Sequence, residues 1–492
     1  MLLAVGLLRF ALDLPEARVQ ALLADGWQLP LSQSTVSRLS IEFLLRWKML
    51  MEVLLPSWTP GLGPIILQMD GTRVAGGPTT FRAREALKGP TLWAEQLTEE
   101  SIEEVVRFLE AYRDHYGTPA LILRDQSGAL KKAVSTVFPG VPQGEDHYHF
   151  LDDLGRVVMP DYEPLRESLI AHGGLARLAE WSRRLPREGK KVEEVERVAV
   201  RMVLEWIEEA RIHPGGFPWR LAYAEVVRRM EKAGRWARAM VAANASRRLF
   251  VREVVGLPLR LEELLQREGV RVAWSRLVSE EHLWEEIRGA MRAERTRRGK
   301  VEFASLATTD VAEVKRAIGE SLTHFAGRGE WAEAIVARTA KRFEEHEPFL
   351  WVEAPGLKAV VRSTVELERA HREDRQGVRH RRGQADTQRE MGLLGSLLAF
   401  WSNARCPWLI EEGWKGLNLW EAFANQDPQE VRRRMLALPK EGRRPRVLWR
   451  RAEETEELAG ELLRVLQGEG RLESGLSRWM GRIKGTGLVD GL

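Results

Sequence analysis

The sequence predicts an α/β chain, a mixed sheet flanked by helices, with a helical region before the sheet and a long all-helical block interrupting it. Three observations carry that reading. Short apolar runs with β-branched content, "PIILQMDGTRV", "PTLWAEQLT" and "TPALILRDQSG", are bounded by Gly and Pro as strands are. Between the second and third lies "EESIEEVVRFLEAYRDHYG", whose apolar positions recur at helical spacing, and "GALKKAVSTVF" follows the third in the same way. Beyond residue 160 the pattern changes to long charged helices without evident strands, as in "EEVERVAVRMVLEWIEEARI", "PWRLAYAEVVRRMEKAG" and "GEWAEAIVARTAKRFEEHE".

The first sixty residues read as helices. "MLLAVGLLRFALDLPEARV" resembles a signal segment for eight residues, but it lacks a basic lead and a small-residue cleavage site, so it reads as a buried helix. It starts with no polar lead-in, as a chain lacking an upstream module would. In "ADGWQLPLSQSTVSRLSIEFLLRW", Ser32 or Ser34 would cap a helix with Val36, Leu39, Phe43 and Leu44 on one face. That is the form either of a helix-turn-helix, with exposed Gln33, Thr35, Ser37 and Arg38 facing DNA, or of a plain helical hairpin.

At 492 residues, with 44% hydrophobic and 30% charged residues, the chain is long enough for several cores. Lys and Arg number 75 against 71 Asp and Glu, so total charge says little about a polyanionic partner and the clustering of charge says more. One cysteine, Cys406, excludes an internal disulfide and a cysteine-based zinc ribbon. No apolar run approaches the roughly 20 residues that span a bilayer, and a membrane partner is not expected. The organisation expected is 1–60 helical and helix-turn-helix-like, 61–160 first part of the α/β core, 161–355 helical insertion, 356–425 the returning core helices, and 426–492 a basic tail.

Asp70 closes the apolar run of "LQMDGT" and Asp125 that of "LILRDQSG". Two carboxylates past neighbouring strand ends are placed where open α/β sheets bind ligands. A hard divalent cation needs more oxygen ligands, and the helix "STVELERAHRED" offers Glu366 and Glu368. Glu368, Arg372 and Arg375 share one helical face, a combination suited to metal and phosphate together, or to a solvated row of ion pairs. The stretch "QGEDHYHFLDDLG" adds Asp146, His147 and His149. Asp146 and His149 fall on one face if the segment opens a helix and on opposite sides if it is extended.

From Ile65 to Leu154 the chain resembles the catalytic core of DDE transposases, which have an RNase H-like fold, and in particular bacterial insertion-sequence transposases related to the Mutator-like group. The segments that carry the resemblance are "LQMDGT", "YGTPALILRDQSGALKKAVSTVFPGVP" and "DHYHFLDDLG", and later "STVELERAHREDRQGVRHRRG" followed by "LLGSLLAFWSNAR" with Phe400, Trp401, Asn403 and Arg405. The resemblance implies catalytic and metal-ligating roles for Asp70, Asp125 and Glu368, the last beside Arg369, with Glu366 as its fallback. It makes Asp146 and His149 a family mark beside the active site. Many relatives have Asn where His371 stands, a departure that touches the surroundings of the third carboxylate.

The implied activity is DNA cleavage and strand transfer at the ends of an insertion sequence, with two Mg²⁺ or Mn²⁺ ions held about 3.5–4 Å apart by the three carboxylates. The implied partners are double-stranded DNA, both terminal inverted repeats and target, and further copies of the chain, in the bacterial cytoplasm at the nucleoid. Arg38, Arg372, Arg375, Arg379, Arg381 and Arg382 are the expected DNA contacts. Two other readings keep part of this: a shortened transposase-derived protein that binds DNA without cutting, and an RNase H-type nuclease acting on RNA.

Overall fold

The computed structural model describes residues 1–12, 14–73, 79–97, 99–211, 216–243, 252–296, 301–353, 356, 358, 360–362 and 393–438. It divides into two compact units, Met1–Asp146 with Val352 onward, and His147–Trp351.

The first unit opens with α1 (Leu2–Gly6), which runs on as a π-helical turn to Ala11, then α2 (Glu16–Trp27) and α3 (Gln33–Trp58). As expected, the apolar start is a buried helix. It approaches α3 closely: a Cβ on Gly6 would stand 2.1 Å from the Phe43 ring, so only glycine fits. Ser32 caps α3 by accepting from the Thr35 N–H at 3.2 Å. Arg9, fully buried, donates to the Leu14 carbonyl at 2.8 Å and stands 3.9 Å from buried Glu16, which ties α1 to α2.

The sheet follows. Strands β1 (Ile66–Arg73), β2 (Thr79–Glu85) and β3 (Thr91–Leu97) form an antiparallel meander; α4 (Ile102–Tyr116) leads to β4 (Leu121–Arg124), and α5 (Gly128–Val137) to β5 (Gln143–Glu145). The order is β3-β2-β1-β4-β5, with β4 parallel to β1 and β5 parallel to β4. Leu67, Met69 and Ile122 meet Phe108, Leu109 and Tyr112 of α4 and Leu130 and Val134 of α5 in one core. Strand alternation sends Gln68, Asp70 and Leu123 to the other face. Two strands escape the pattern of apolar runs: β2, where Arg82 and Arg84 alternate with Phe81, Ala83 and Glu85, and the three-residue β5.

The second unit comprises α6 (His147–Val158), α7 (Tyr162–Ile170), α8 (Gly174–Arg184), α9 (Val192–Glu209), α10 (Ala222–Ala243), α11 (Arg252–Leu265), α12 (Glu268–Ala290), the hairpin β6 (Ala293–Arg295) and β7 (Val301–Phe303), α13 (Val311–Ala326) and α14 (Glu330–Leu350). The block expected to be purely helical therefore contains a short antiparallel hairpin, too brief to produce an apolar run. Buried Trp284 of α12 packs edge-on to Trp219, with ring centroids 5.5 Å apart. His147, fully buried, stacks edge-on against Trp351 and its Nε2 lies 2.7 Å from the Leu350 carbonyl, which joins the first and last turns of the unit.

The chain then returns to the first unit with α15 (Leu394–Ala404), α16 (Leu419–Ala424) and α17 (Pro428–Ala437). These helices share a core with the N-terminal ones: Trp47 packs against Phe400 at 4.8 Å and Trp414 at 5.4 Å, and Phe43 against Phe423 at 5.6 Å. Residues 1–60 thus have no core of their own. Of the residues expected to face DNA, Ser37 is buried, because α3 turns that side into the shared core, while Gln33 and Arg38 are exposed.

Candidate functional site

The site is built by sheet register. The parallel ladder pairs Ile66 with Leu121, Leu67 with Ile122 and Gln68 with Leu123. Carried two residues past the end of that ladder, the same register brings Asp125, just after β4, level with Asp70 of β1. The β4–β5 ladder pairs Arg124 with Glu145, and the Asp146 N–H donates to the Arg124 carbonyl at 2.9 Å, so Asp146 falls opposite Asp125 in turn. By this register Asp70 within β1, Asp125 just past β4 and Asp146 just past β5 fall at one level. One expectation needs correcting: Asp70 does not end its strand, since β1 continues to Arg73 by pairing with β2 after β4 has stopped.

Each carboxylate has a distinct setting. Asp70 lies opposite Arg82 in the β1–β2 ladder, and Arg82 is fully buried, so a cation shares its face. Next to it, a Cβ on Gly71 would lie 2.9 Å from the Thr79 methyl and 3.1 Å from the Phe81 ring, which fixes glycine at that position. Asp125 follows β4 directly. Its Oδ1 accepts from the Ser127 N–H at 2.9 Å, while Ser127 Oγ caps α5, leaving Oδ2 outside that turn. Asp146 is fully buried and is the last residue before α6.

Arg124 fastens this level from below. Its Nε donates to Gln143 Oε1 at 2.9 Å, and its Nη1 to the Asp125 carbonyl at 2.8 Å and Glu145 Oε1 at 3.4 Å. Burial pulls the guanidinium below its ordinary value, opposed by Glu145 and Asp125 beside it. Arg82 and Arg124 are the site residues that sequence reading missed. The only trace of them is a charged residue inside, or at the end of, an apolar strand.

The other expected residues are dispersed. His149 is half-buried on α6, in the second unit, with the Tyr148 ring 5.8 Å away. Arg38, exposed on α3, stands 3.7 Å from Glu42. Glu366, Glu368, Arg372, Arg375, Arg379, Arg381 and Arg382 lie outside the described residues. Among the described residues no group of three acidic, histidine or cysteine side chains is arranged to hold a metal ion, and no helix is long and apolar enough to cross a membrane.

The segment with Phe400, Trp401, Asn403 and Arg405 does structural work. Asn403 Oδ1 accepts from the Thr91 N–H at 2.7 Å and its Nδ2 donates to the Thr91 carbonyl at 2.9 Å, which satisfies both backbone groups of an edge-strand residue. Trp401 Nε1 donates to the Phe10 carbonyl at 2.6 Å. Gly395 lets α15 approach β3, since a Cβ there would stand 2.6 Å from the Ala94 carbonyl oxygen.

These features define an α/β protein with a mixed five-stranded sheet, Asp70 within its central strand and Asp125 and Asp146 just past the ends of β4 and β5. A scan of the sequence against protein-family models finds no match, and neither does a search of curated proteins.

Proposed function

We propose that the chain is a DDE transposase with an RNase H-like core, which cleaves and joins DNA at the ends of an insertion sequence. The observation that carries the reading is the register of β1 and β4, which, extended two residues past their ladder, brings Asp70 and Asp125 to the same level. The order β3-β2-β1-β4-β5, with β2 alone antiparallel, supports it, being the arrangement of an RNase H-like sheet. Interruption of the chain after β5 by a helical unit accords with the same reading.

Carboxylates on one face form a hard oxygen donor set that fits Mg²⁺ or Mn²⁺. Asp70 and Asp125 would hold the ions, with Glu368 as the third ligand in this reading. Such ions, when bound, supply Lewis-acid activation of a water or a DNA 3′-hydroxyl and neutralise charge at the leaving oxygen. The protein's own part is positional. Arg82 brings a cation to the Asp70 side, the Ser127 N–H orients the Asp125 carboxylate, and Arg124 holds the backbone that presents it.

The test is strand cleavage, with Mg²⁺ or Mn²⁺, of duplexes carrying the inverted repeats that flank the protein's own gene, with Asp125→Asn as control. Nicking at the repeat ends that needs metal and is lost in the variant is the expected result. Binding without cleavage would mark a DNA-binding descendant instead. Cutting of RNA–DNA hybrids in preference to duplex DNA would mark a nuclease of the RNase H type.

A further inference from the structure

The helical unit carries a charged surface that the aspartate row does not use. On α10, Arg228, Lys232 and Arg235 follow at i, i+4 and i+7, one line along the helix. The opposite side, Val226, Val227, Met230, Ala233 and Ala237, enters the core. The helix carries Arg228, Arg229, Lys232, Arg235 and Arg238 against Glu225 and Glu231, so its outward face is basic in a chain that is nearly balanced overall.

The cations are set among indole rings. Arg229 lies 5.0 Å and Lys232 5.9 Å from the Trp206 ring centre, and Arg228 lies 5.6 Å from that of Trp274. The Trp274 ring is fixed by its Nε1 donating to Glu231 at 3.0 Å. Arg228 and Arg229 are also paired with carboxylates, Arg228 with Glu281 and Arg229 with Glu225 and Glu209. Lys232 and Arg235 form no ion pair among the described residues. One turn beyond Lys232 and next to Arg235 in sequence stands Trp236, 46% exposed. A large aromatic ring left half in water beside two cations without a carboxylate partner is the composition of a polyanion contact, phosphates to the cations and sugar or base to the ring.

We propose that the outward face of α10 is a DNA-contact surface, in which Lys232 and Arg235 take backbone phosphates and Trp236 packs on an adjoining nucleotide. The partner is duplex DNA, and the proposal rests on the DNA-processing reading above. It adds to that reading a surface on the helical unit, remote in sequence from every basic residue the sequence pattern singled out.

The test uses the full chain and a labelled duplex of arbitrary sequence, with affinity measured by fluorescence anisotropy across a salt series. The double variant Lys232→Ala/Arg235→Ala removes two phosphate contacts, so the slope of log affinity against log salt becomes shallower by about 1.8. The charge-preserving pair Lys232→Arg/Arg235→Lys keeps the wild-type slope, and Trp236→Ala weakens binding about tenfold with little change of slope. Circular dichroism of each variant confirms that the exposed substitutions leave the helices formed.

If the wild type binds DNA and the double variant keeps the full salt slope, the α10 surface is refuted while the DNA-processing reading stands. If the wild type shows no salt-dependent binding even at low ionic strength, both fail together. Displacement of the duplex by polyglutamate as readily as by unlabelled duplex would also overturn the assignment, because the face would then be a general polyanion surface.

Discussion

Asp70 and Asp125 are two residues whose positions say more than their identities. Each follows a short apolar run, which made both visible in the sequence, but nothing local in sequence states that they are neighbours. Their adjacency comes from a ladder between segments separated by β2, β3 and α4. Asp70→Asn and Asp125→Asn preserve shape and remove the charge that would ligate metal in the proposed function. Each is expected to reduce cleavage by at least about 100-fold, the usual scale for losing an electrostatic group aimed at the reacting centre. Duplex affinity should stay within about twofold of wild type, since phosphate contacts elsewhere dominate it. Paired cleavage and binding assays check this, and wild-type cleavage by either variant would remove that residue from the site. Arg124 behaves differently. Replacing it by Ala removes a buried guanidinium together with its bonds to Gln143, the Asp125 carbonyl and Glu145, which costs about 3–5 kcal/mol of stability, so the loss should appear in urea unfolding before any assay of activity. The sequence hid Arg124 because a buried arginine at a strand end looks like the start of a polar turn.

At the scale of elements, what was legible followed the hydrophobic pattern, and what was not depended on partners far along the chain. The runs that became β1, β3 and β4 and the amphipathic α4 and α5 could be read because one face of each is buried against the same core. β2 could not, because its buried Arg82 and the partly buried Arg84 break the apolar alternation. The function of Asn403 was equally hidden, since Thr91 stands 312 positions away. Asn403→Ala would leave the N–H and C=O of Thr91 buried and unpaired, each costing about 1–3 kcal/mol. The expected result is a lower urea midpoint with an unchanged slope, because the fold and its exposed surface on unfolding stay the same. An unchanged midpoint would show that water replaces the amide. Gly6→Ala tests the other end of the same core. The added methyl would overlap the Phe43 ring, which itself packs on Phe10 and Phe400, and overpacking of this kind costs about 1–3 kcal/mol.

The chain divides into two compact units, and a buried carboxyl in the helical one is expected to give it a pH dependence of its own. In the helical unit Glu280 of α12 is fully buried, and its Oε2 accepts from the Asp161 N–H at 3.2 Å just before α7. Burial first, then the neighbouring Asp161, push its pKa up to about 9, against a weaker opposing pull from Arg276. A folded-state value above the unfolded one means that the protonated carboxyl stabilises the fold. That contribution is complete below the unfolded value, about 4.3, and is lost as pH rises toward about 9. The helical unit should therefore lose stability across that window, by at most about 1.4 kcal/mol per pH unit from this group. Glu280→Gln keeps the shape and an oxygen that can accept from the Asp161 N–H but cannot ionise, so it should flatten the decline and leave the variant more stable than wild type above neutral pH. Hydrogen exchange resolved along the chain separates the two cores: faster exchange in α7 and α12 than in α4 and β1 as pH is raised, corrected for intrinsic rates and suppressed in Glu280→Gln, is the expected pattern. Equal acceleration in both units, or a variant that declines as steeply as wild type, would show that Glu280 does not govern the pH response of the helical unit.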